Sequence, residues 1–438
     1  MLYNHYIIYC FACKKAVQNA NFSDFGAVAH NHNIFYGGFS MKKLLAILMA
    51  LALVVCCFAA CGKTDGGNAG NADNTQKVVK IGVYEPQTGA NGAGGKQEIL
   101  GMQYANKINP TVEINGETYK VELVYADNES STDKAVSAAS KLVAEGVSVV
   151  LGSYGSAVSI AASDTFKEAG IPAIGVTCTN PQVTEGNDHY FRICFLDPFQ
   201  GTVHAEFAKS KFNADTVYCL GELGNDYDQG LINYFSEASE KLGMKVIKEN
   251  FPKDNSDFTS YLANAKKQGA DVIFAPCSIQ YAQLILEQSN AQGTNIPLLG
   301  TDTWDNNKIV ETTKGTNTEL YVSTFYQEGA NPEFEKGIKE WMNSDATALE
   351  NNGGNDMIAA VTVMGYDAYM TALEAIKNAN SAEPSAVMAA LPTTAYEGIS
   401  GSISFNEIGD ANRDAAYIKT ANVATGTWDF VAVQKVSA

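Results

Sequence analysis

Residues 147–176 read VSVVLGSYGSAVSIAASDTFKEAGIPAIGV. The apolar run Val147–Leu151 has the length and β-branched content of a buried strand. A polar, Gly-rich segment, Gly152-Ser153-Tyr154-Gly155-Ser156, follows it. Ala157–Ala169 then has helical spacing and is closed by Gly170, and Ile171–Val176 is again a strand. Helices alternating with buried strands imply a parallel sheet covered on both faces.

The same alternation extends outward. Upstream, Val78–Tyr84 and Tyr119–Ala126 predict strands, and Gln97–Ile108 and Thr132–Glu145 predict helices, the latter opened by Thr132-Asp133 as cap and first-turn acid. Downstream the pattern restarts. Val217–Leu220, Lys245–Lys248, Val272–Ala275 and Leu298–Gly300 are strands, separated by helices near 228–242, 258–268 and 279–291. The fold class is therefore α/β, with two doubly wound parallel-sheet lobes and ligand sites expected at the carboxyl ends of their strands. The tail predicts helices near 333–343, 357–378 and 384–390. Ser402–Phe405, Ala416–Thr420 and Trp428–Val433 then look like antiparallel strands.

The N-terminal region has a different character. From Met41, Lys42-Lys43 precede an apolar run of 17 residues, Leu44–Ala60, and then Cys61-Gly62. A positive start, an apolar stretch and small residues before a cleavage point make a secretory signal. Ala59-Ala60-Cys61 resembles the lipobox of bacterial lipoproteins, with Phe58 where Leu is usual. That resemblance implies cleavage before Cys61, a lipid on its sulfur, and anchorage to the outer face of a bacterial cell membrane. A plain signal peptide or an anchor helix is the simpler alternative. Residues 61–77, rich in Gly, Asn and Asp, suit a flexible tether. Residues 1–40 precede the signal and are expected to be a non-native extension.

Without residues 1–60, which hold four Lys and one Asp, the 30 basic and 48 acidic side chains fall to 26 and 47, a net charge of −21. Such an excess argues against nucleic acid, which needs a basic surface. Cys178, Cys194, Cys219 and Cys277 are widely spaced and lack any CxxC, so buried free thiols are expected rather than a metal site. No cofactor is expected.

Several loops could carry chemistry. Gly89–Lys96 has a phosphate-loop flavour, but Ala90 and Gln97 stand where that motif needs Gly and Ser or Thr, so a close-approach loop is the better reading. Ser156 opens a helix, where a hydroxyl and free backbone N–H groups make a ready carboxylate site; an ordinary Ser cap is the bland alternative. The loop Thr177-Cys178-Thr179 ends the next strand and strengthens the carboxylate reading. Tyr154 lies in the first of these loops and could line a pocket. In the second half, Tyr227 opens a helix after a strand and could cover an apolar ligand face. Asp302 follows another strand and either meets a ligand ammonium or caps the next helix. Trp304 could close the pocket over it.

From about Val78 onward the chain resembles the leucine/isoleucine/valine-type periplasmic binding proteins. The resemblance rests on the order of Ile81-Gly82-Val83, Thr88-Gly89, Tyr125-Ala126-Asp127, Val150-Leu151-Gly152, Ala161-Ala162-Ser163-Asp164, Ile171-Pro172, Phe191-Arg192 and Asp226-Tyr227. It implies two lobes joined by a three-strand hinge, with residues 78–197 and 325–395 forming the first and 198–324 and 396–438 the second. It further implies that Ser156, Thr177 and Thr179 hold an α-carboxylate, Asp302 an α-ammonium, and that Tyr227 covers the ligand. Gly94 departs from the Tyr of several members, and the cysteine pair some carry near Asn128 and Gly155 is missing.

The expected function is therefore capture of an amino acid, branched-chain or related, as the monomeric receptor of an ABC importer. Its partners would be the permease and ATPase subunits and, through Cys61, the membrane. An amide, a urea-like solute or a sensing role are the alternatives. An enzyme is not expected, because His189 and His204, the two His beyond residue 60, belong to no recognisable catalytic motif.

Overall fold

A computed structural model describes residues 77–435. The extension at 1–40, the signal at 41–60, Cys61 and nearly all of the tether fall outside the described residues. The first lobe is built from β1 (Val78–Glu85), α1 (Gly92–Ile108), β2 (Thr111–Ile114), β3 (Glu117–Asp127), α2 (Thr132–Glu145), β4 (Val149–Leu151), α3 (Ser156–Ala169), β5 (Ala173–Gly175) and β6 (Tyr190–Arg192). Its sheet runs β2-β3-β1-β4-β5-β6, parallel throughout except for β2, which returns antiparallel to β3.

The second lobe begins with α4 (Asp197–Phe212), β7 (Thr216–Glu222), α5 (Asp226–Lys241) and β8 (Lys245–Phe251). It continues with α6 (Thr259–Lys267), β9 (Val272–Phe274), α7 (Ile279–Gln292), β10 (Leu298–Gly300), α8 (Asn307–Thr312) and β11 (Leu320–Thr324). The chain then returns to the first lobe for α9 (Pro332–Ser344), α10 (Ala346–Asn351), α11 (Ala360–Ala379) and α12 (Pro384–Ala390). The hairpin β12 (Ala395–Gly398) and β13 (Gly401–Ser404) comes next, and β14 (Ala415–Asn422) and β15 (Thr427–Lys435) end the second lobe. That sheet is ordered β15-β14-β11-β10-β9-β7-β8, with the last two strands in sequence antiparallel.

The chain passes between the lobes three times, at 193–196, 325–331 and 405–414. Arg192 at the end of β6 binds Asp410 in the third crossing, and Arg413 donates to the carbonyls of Ile193 and Ser400 at 2.9 and 2.8 Å. Residues 396–404 group with the second lobe on sequence, but β12 and β13 form a two-stranded sheet of their own that packs on α11. Asp367 of α11 accepts from the N–H groups of Ile399 and Ser400 at 2.9 and 2.8 Å. A buried carboxylate with donors from one turn holds that turn in place.

Two features differ from the sequence reading for reasons of clearance. The Gly-rich stretch is the first turn of α1, which starts at Gly92 rather than Gln97. A Cβ on Gly95 would stand 2.0 Å from the carbonyl oxygen of Pro86, so glycine is what lets the helix begin against the end of β1. Further along, α1 and α11 cross backbone to backbone. A Cβ on Gly101 would lie 1.8 Å from the Thr362 carbonyl, and one on Gly365 2.1 Å from that of Glu98. This contact presses the middle of α1, with Glu98, into the interior.

The cores are aromatic-rich. Phe235 and Phe274 stack at 4.1 Å in the second lobe, and Tyr84 meets Phe166 edge-on at 5.5 Å in the first. Burial of each such ring is worth about 1.5–3 kcal/mol. Cys178, Cys194, Cys219 and Cys277 are buried and free. Among the described residues no helix is long and apolar enough to cross a membrane.

Candidate ligand-binding site

The carboxyl ends of both sheets face one cleft. The loops after β1, β4 and β5 reach it from one side, and those after β7, β9 and β10 from the other. A cavity of about 50 Å³ lies between them, lined by Asn91, Tyr154, Ser156 and Val158 of the first lobe and Asn225, Tyr227, Asp228, Ser278 and Thr303 of the second. Direct contacts cross it. The Tyr154 hydroxyl donates to the Thr303 carbonyl at 2.9 Å, and the Ile279 N–H to Asn91 Oδ1 at 3.0 Å. Asn180 Nδ2 donates to the Asp226 carbonyl at 2.8 Å, and Asn306 Nδ2 to Gln97 Oε1 at 2.6 Å. The two lobes are closed on each other.

Each loop sets its side chains by where its strand ends. Ser156 is the first residue of α3, nearly fully buried, and its hydroxyl accepts from the Asn180 N–H at 3.2 Å. The free N–H groups of the first turn of α3 point into the cleft mouth. Thr177 and Thr179 lie side by side after β5, with different environments. The Thr177 hydroxyl donates to Glu98 Oε1, toward the interior of its own lobe, whereas the buried Thr179 hydroxyl faces the Asp197 carboxyl.

Opposite them, Tyr227 and Asp302 meet. The Tyr227 hydroxyl lies 2.9 Å from Asp302 Oδ1 and 2.7 Å from Thr301 Oγ1, and Gln200 Nε2 donates to the same carboxylate oxygen at 2.7 Å. Burial, opposed by those bonds, pushes the Asp302 carboxyl up to about 6. The Tyr154 ring packs against Gly94, where a Cβ would be 2.3 Å from it, so the room this glycine leaves is filled by tyrosine. Its N–H donates to Glu85 Oε2 at 2.7 Å. Trp304 is elsewhere. Its indole is fully buried in the second-lobe core, packed on Gly300, with Nε1 donating to the Cys277 carbonyl at 2.8 Å. The structure thus gathers Tyr154, Ser156, Thr179, Tyr227 and Asp302 around the cleft and leaves Trp304 behind it.

Sequence reasoning passed over the acids beneath the cleft. Glu85 and Glu98 are both fully buried in the first lobe. Burial and the neighbouring Glu98 charge hold the Glu85 carboxyl well above the usual range, and burial pushes Glu98 up to about 8. Asp197, the first residue of α4, is pushed up to about 7 by burial, opposed by Thr179 and reinforced by Asp302. The one available signal was Glu85 at the end of the otherwise apolar run Ile81–Tyr84.

Two parallel-sheet lobes closed over a polar cleft at their strand ends define a bilobal binding protein. The family model described as periplasmic binding protein matches residues 78–425, and the chain belongs to that family, in its leucine/isoleucine/valine-binding type. It is 29% identical over 374 residues to Leu/Ile/Val-binding protein homolog 1 of Brucella abortus, covering 84% of this chain and 94% of that one. It superposes on the leucine-binding protein LivK of Thermotoga maritima with a TM-score of 0.72 at 31% identity, covering 82% of this chain and 99% of LivK. LivJ of Streptococcus pneumoniae, solved with isoleucine, gives a TM-score of 0.71 at 25% identity, with 82% and 99% covered. The family consists of solute-binding proteins.

Proposed function

We propose that this protein is the extracytoplasmic solute-binding lipoprotein of an ABC importer, capturing an α-amino acid of the branched-chain or a related class and delivering it to the permease. The carrying observation is an opposition across the cleft. A helix N-terminus with Ser156 stands in one lobe, and Asp302 with Tyr227 stands in the other. A zwitterion has the two charges in that arrangement. Its carboxylate docks on the α3 N-terminus, Ser156 and the Thr177–Thr179 loop, and its ammonium on Asp302, with Tyr154 and Tyr227 against its sides. The amino-acid ligands of the relatives agree with this polarity.

The lobes move as units about the three crossings, residues 78–192 and 332–404 against 197–324 and 415–435, and closure excludes water from both charged contacts. The closed monomer is the form the permease and ATPase complex reads, tethered through a lipid on Cys61; the protein catalyses nothing. Affinity is micromolar or tighter, about −8 kcal/mol.

Thermal shift against all amino acids, on protein unfolded and refolded to strip bound solute, tests this. A narrow set of α-amino acids should raise Tm. Asp302→Ala should lower their affinity by about two orders of magnitude while the unliganded protein stays folded. A response confined to amides or sugars, or an unchanged affinity in D302A, removes the amino-acid reading.

A further inference from the structure

The floor of the cleft holds more acid than one α-ammonium neutralises. Five buried carboxyls lie in or behind its wall: Asp228 lines the cavity, Glu85 and Asp302 bind the wall residues Tyr154 and Tyr227, and Glu98 and Asp197 sit beside Thr177 and Thr179. They are electrostatic neighbours in a chain, Glu85 to Glu98, Glu98 to Asp302, Asp302 to Asp197 and Asp197 to Asp228. Among the described residues none of the five forms an ion pair. The nearby buried cations are committed, Arg192 to Asp410 and Lys419 to Asp305. A buried carboxylate without a cation is costly, and either a proton or a ligand must compensate it.

A separate observation points to a ligand. Glu98 Oε2 and Gln200 Oε1 are buried acceptors with no hydrogen-bond partner, although Gln200 Nε2 is bound to Asp302 and Glu98 Oε1 to Thr177. Buried acceptors are rarely left without donors. Glu85 Oε1 is also unpartnered, and one proton shared with Glu98 Oε2 would satisfy that pair and leave one negative charge on it. The cavity wall carries Asn91, Ser130, Asn225 and Ser278 beside Pro86, Tyr154, Ala157, Val158 and Tyr227, so polar partners are present for a ligand that is more than aliphatic.

We propose that the captured amino acid carries a second cation on its side chain, a lysine-, ornithine- or arginine-type ligand, and that Glu98, backed by Glu85 and Thr177, selects it. This rests on the amino-acid reading above and sets the chain apart from relatives named for aliphatic ligands. The side-chain cation donates to the Glu98 carboxylate, and the proton that the acid pair gives up passes to the solvent. The α-ammonium remains with Asp302.

Titration calorimetry of the stripped protein at pH 7 with lysine, ornithine, arginine, leucine and isoleucine, in two buffers of different ionisation enthalpy, tests it. At least one basic amino acid should bind about tenfold tighter than leucine and release protons on binding. Glu98→Gln should weaken that ligand about tenfold or more and change leucine far less. Tighter binding of leucine or isoleucine than of every basic amino acid, or wild-type affinity for the basic ligand in E98Q, overturns the assignment and leaves the amino-acid reading standing. If E98Q does not fold, the proton count on the native protein decides, and binding of the basic ligand without proton release overturns it. Silence toward every amino acid overturns both readings.

Discussion

Gly152-Ser153-Tyr154 after β4 and Thr301-Asp302-Thr303-Trp304 after β10 occupy equivalent places, at the carboxyl end of a central strand in each sheet. Both follow the strand with small or hydroxyl-bearing residues and carry one large aromatic. The aromatics go opposite ways. Tyr154 reaches across the cleft to the Thr303 carbonyl, whereas Trp304 turns into its own lobe and donates to Cys277. Each polar tip goes where a carbonyl is free to accept it, since a buried N–H or O–H without one is costly. The Tyr154 phenol is otherwise surrounded by acids, Asp302, Glu98, Asp305 and Glu85, and these together with the larger effect of burial hold its proton well above the usual range. One loop thus supplies a bridge between lobes, and the other supplies a core anchor that leaves Asp302 to face the ligand.

Removing the two aromatics separates these roles. Trp304→Ala should cost about 3–5 kcal/mol of stability, because the indole is fully buried and the lobe core cannot collapse onto a backbone held at Gly300. A urea titration should show the loss as a lower midpoint, while the affinity of the folded fraction stays within about threefold of wild type, which is below 1 kcal/mol. A large loss of affinity at unchanged stability would place the indole in the ligand site and make the two loops alike.

Tyr154→Phe is the smaller and complementary change. It deletes one hydrogen bond between lobes, worth about 0.5–1.5 kcal/mol, and keeps the ring that fills the space beside Gly94. Ligand affinity should fall by roughly two- to tenfold, with the urea midpoint unchanged. A shifted midpoint and intact affinity would instead make Tyr154 a core residue of its own lobe.

This contrast also marks where the sequence was legible. The strand and helix alternation, and the polar loops carrying Ser156 and Asp302, depend on local pattern, and local pattern was enough to find them. The direction of Trp304 depends on a carbonyl at Cys277, and that of the Thr177 hydroxyl on Glu98, contacts no local pattern contains. Glu98 itself follows Lys96-Gln97 and reads as an exposed helix charge. Its burial comes from the close crossing of α1 and α11 at Gly101 and Gly365, far apart in the chain. The place of the hairpin at 395–404 is hidden for a related reason. Its β pattern is real, but what fixes its lobe is the Asp367 carboxylate on α11.

The acids that the two lobes bring together should make stability depend on pH with a sign opposite to that of ordinary paired carboxylates. Unfolded, Glu98 and Asp197 lose their protons near pH 4. Folded, burial keeps them protonated up to about 8 and about 7. Between those limits the folded chain binds more protons than the unfolded one, so stability falls as pH rises. Buried His204 acts the other way, because burial lowers it to about 3, but only below its unfolded value of about 6.5. Between pH 6.5 and 8 the acids act without that opposition, and the ligand-free Tm should decline by a few degrees at most. Asp197→Asn should remove the lower part of the decline and E98Q the upper part, which assigns each share to its lobe. A ligand-free Tm that stays level or rises between pH 6.5 and 8 would mean the carboxyls are already ionised and compensated, and the floor of the cleft would then carry no excess acid from either lobe.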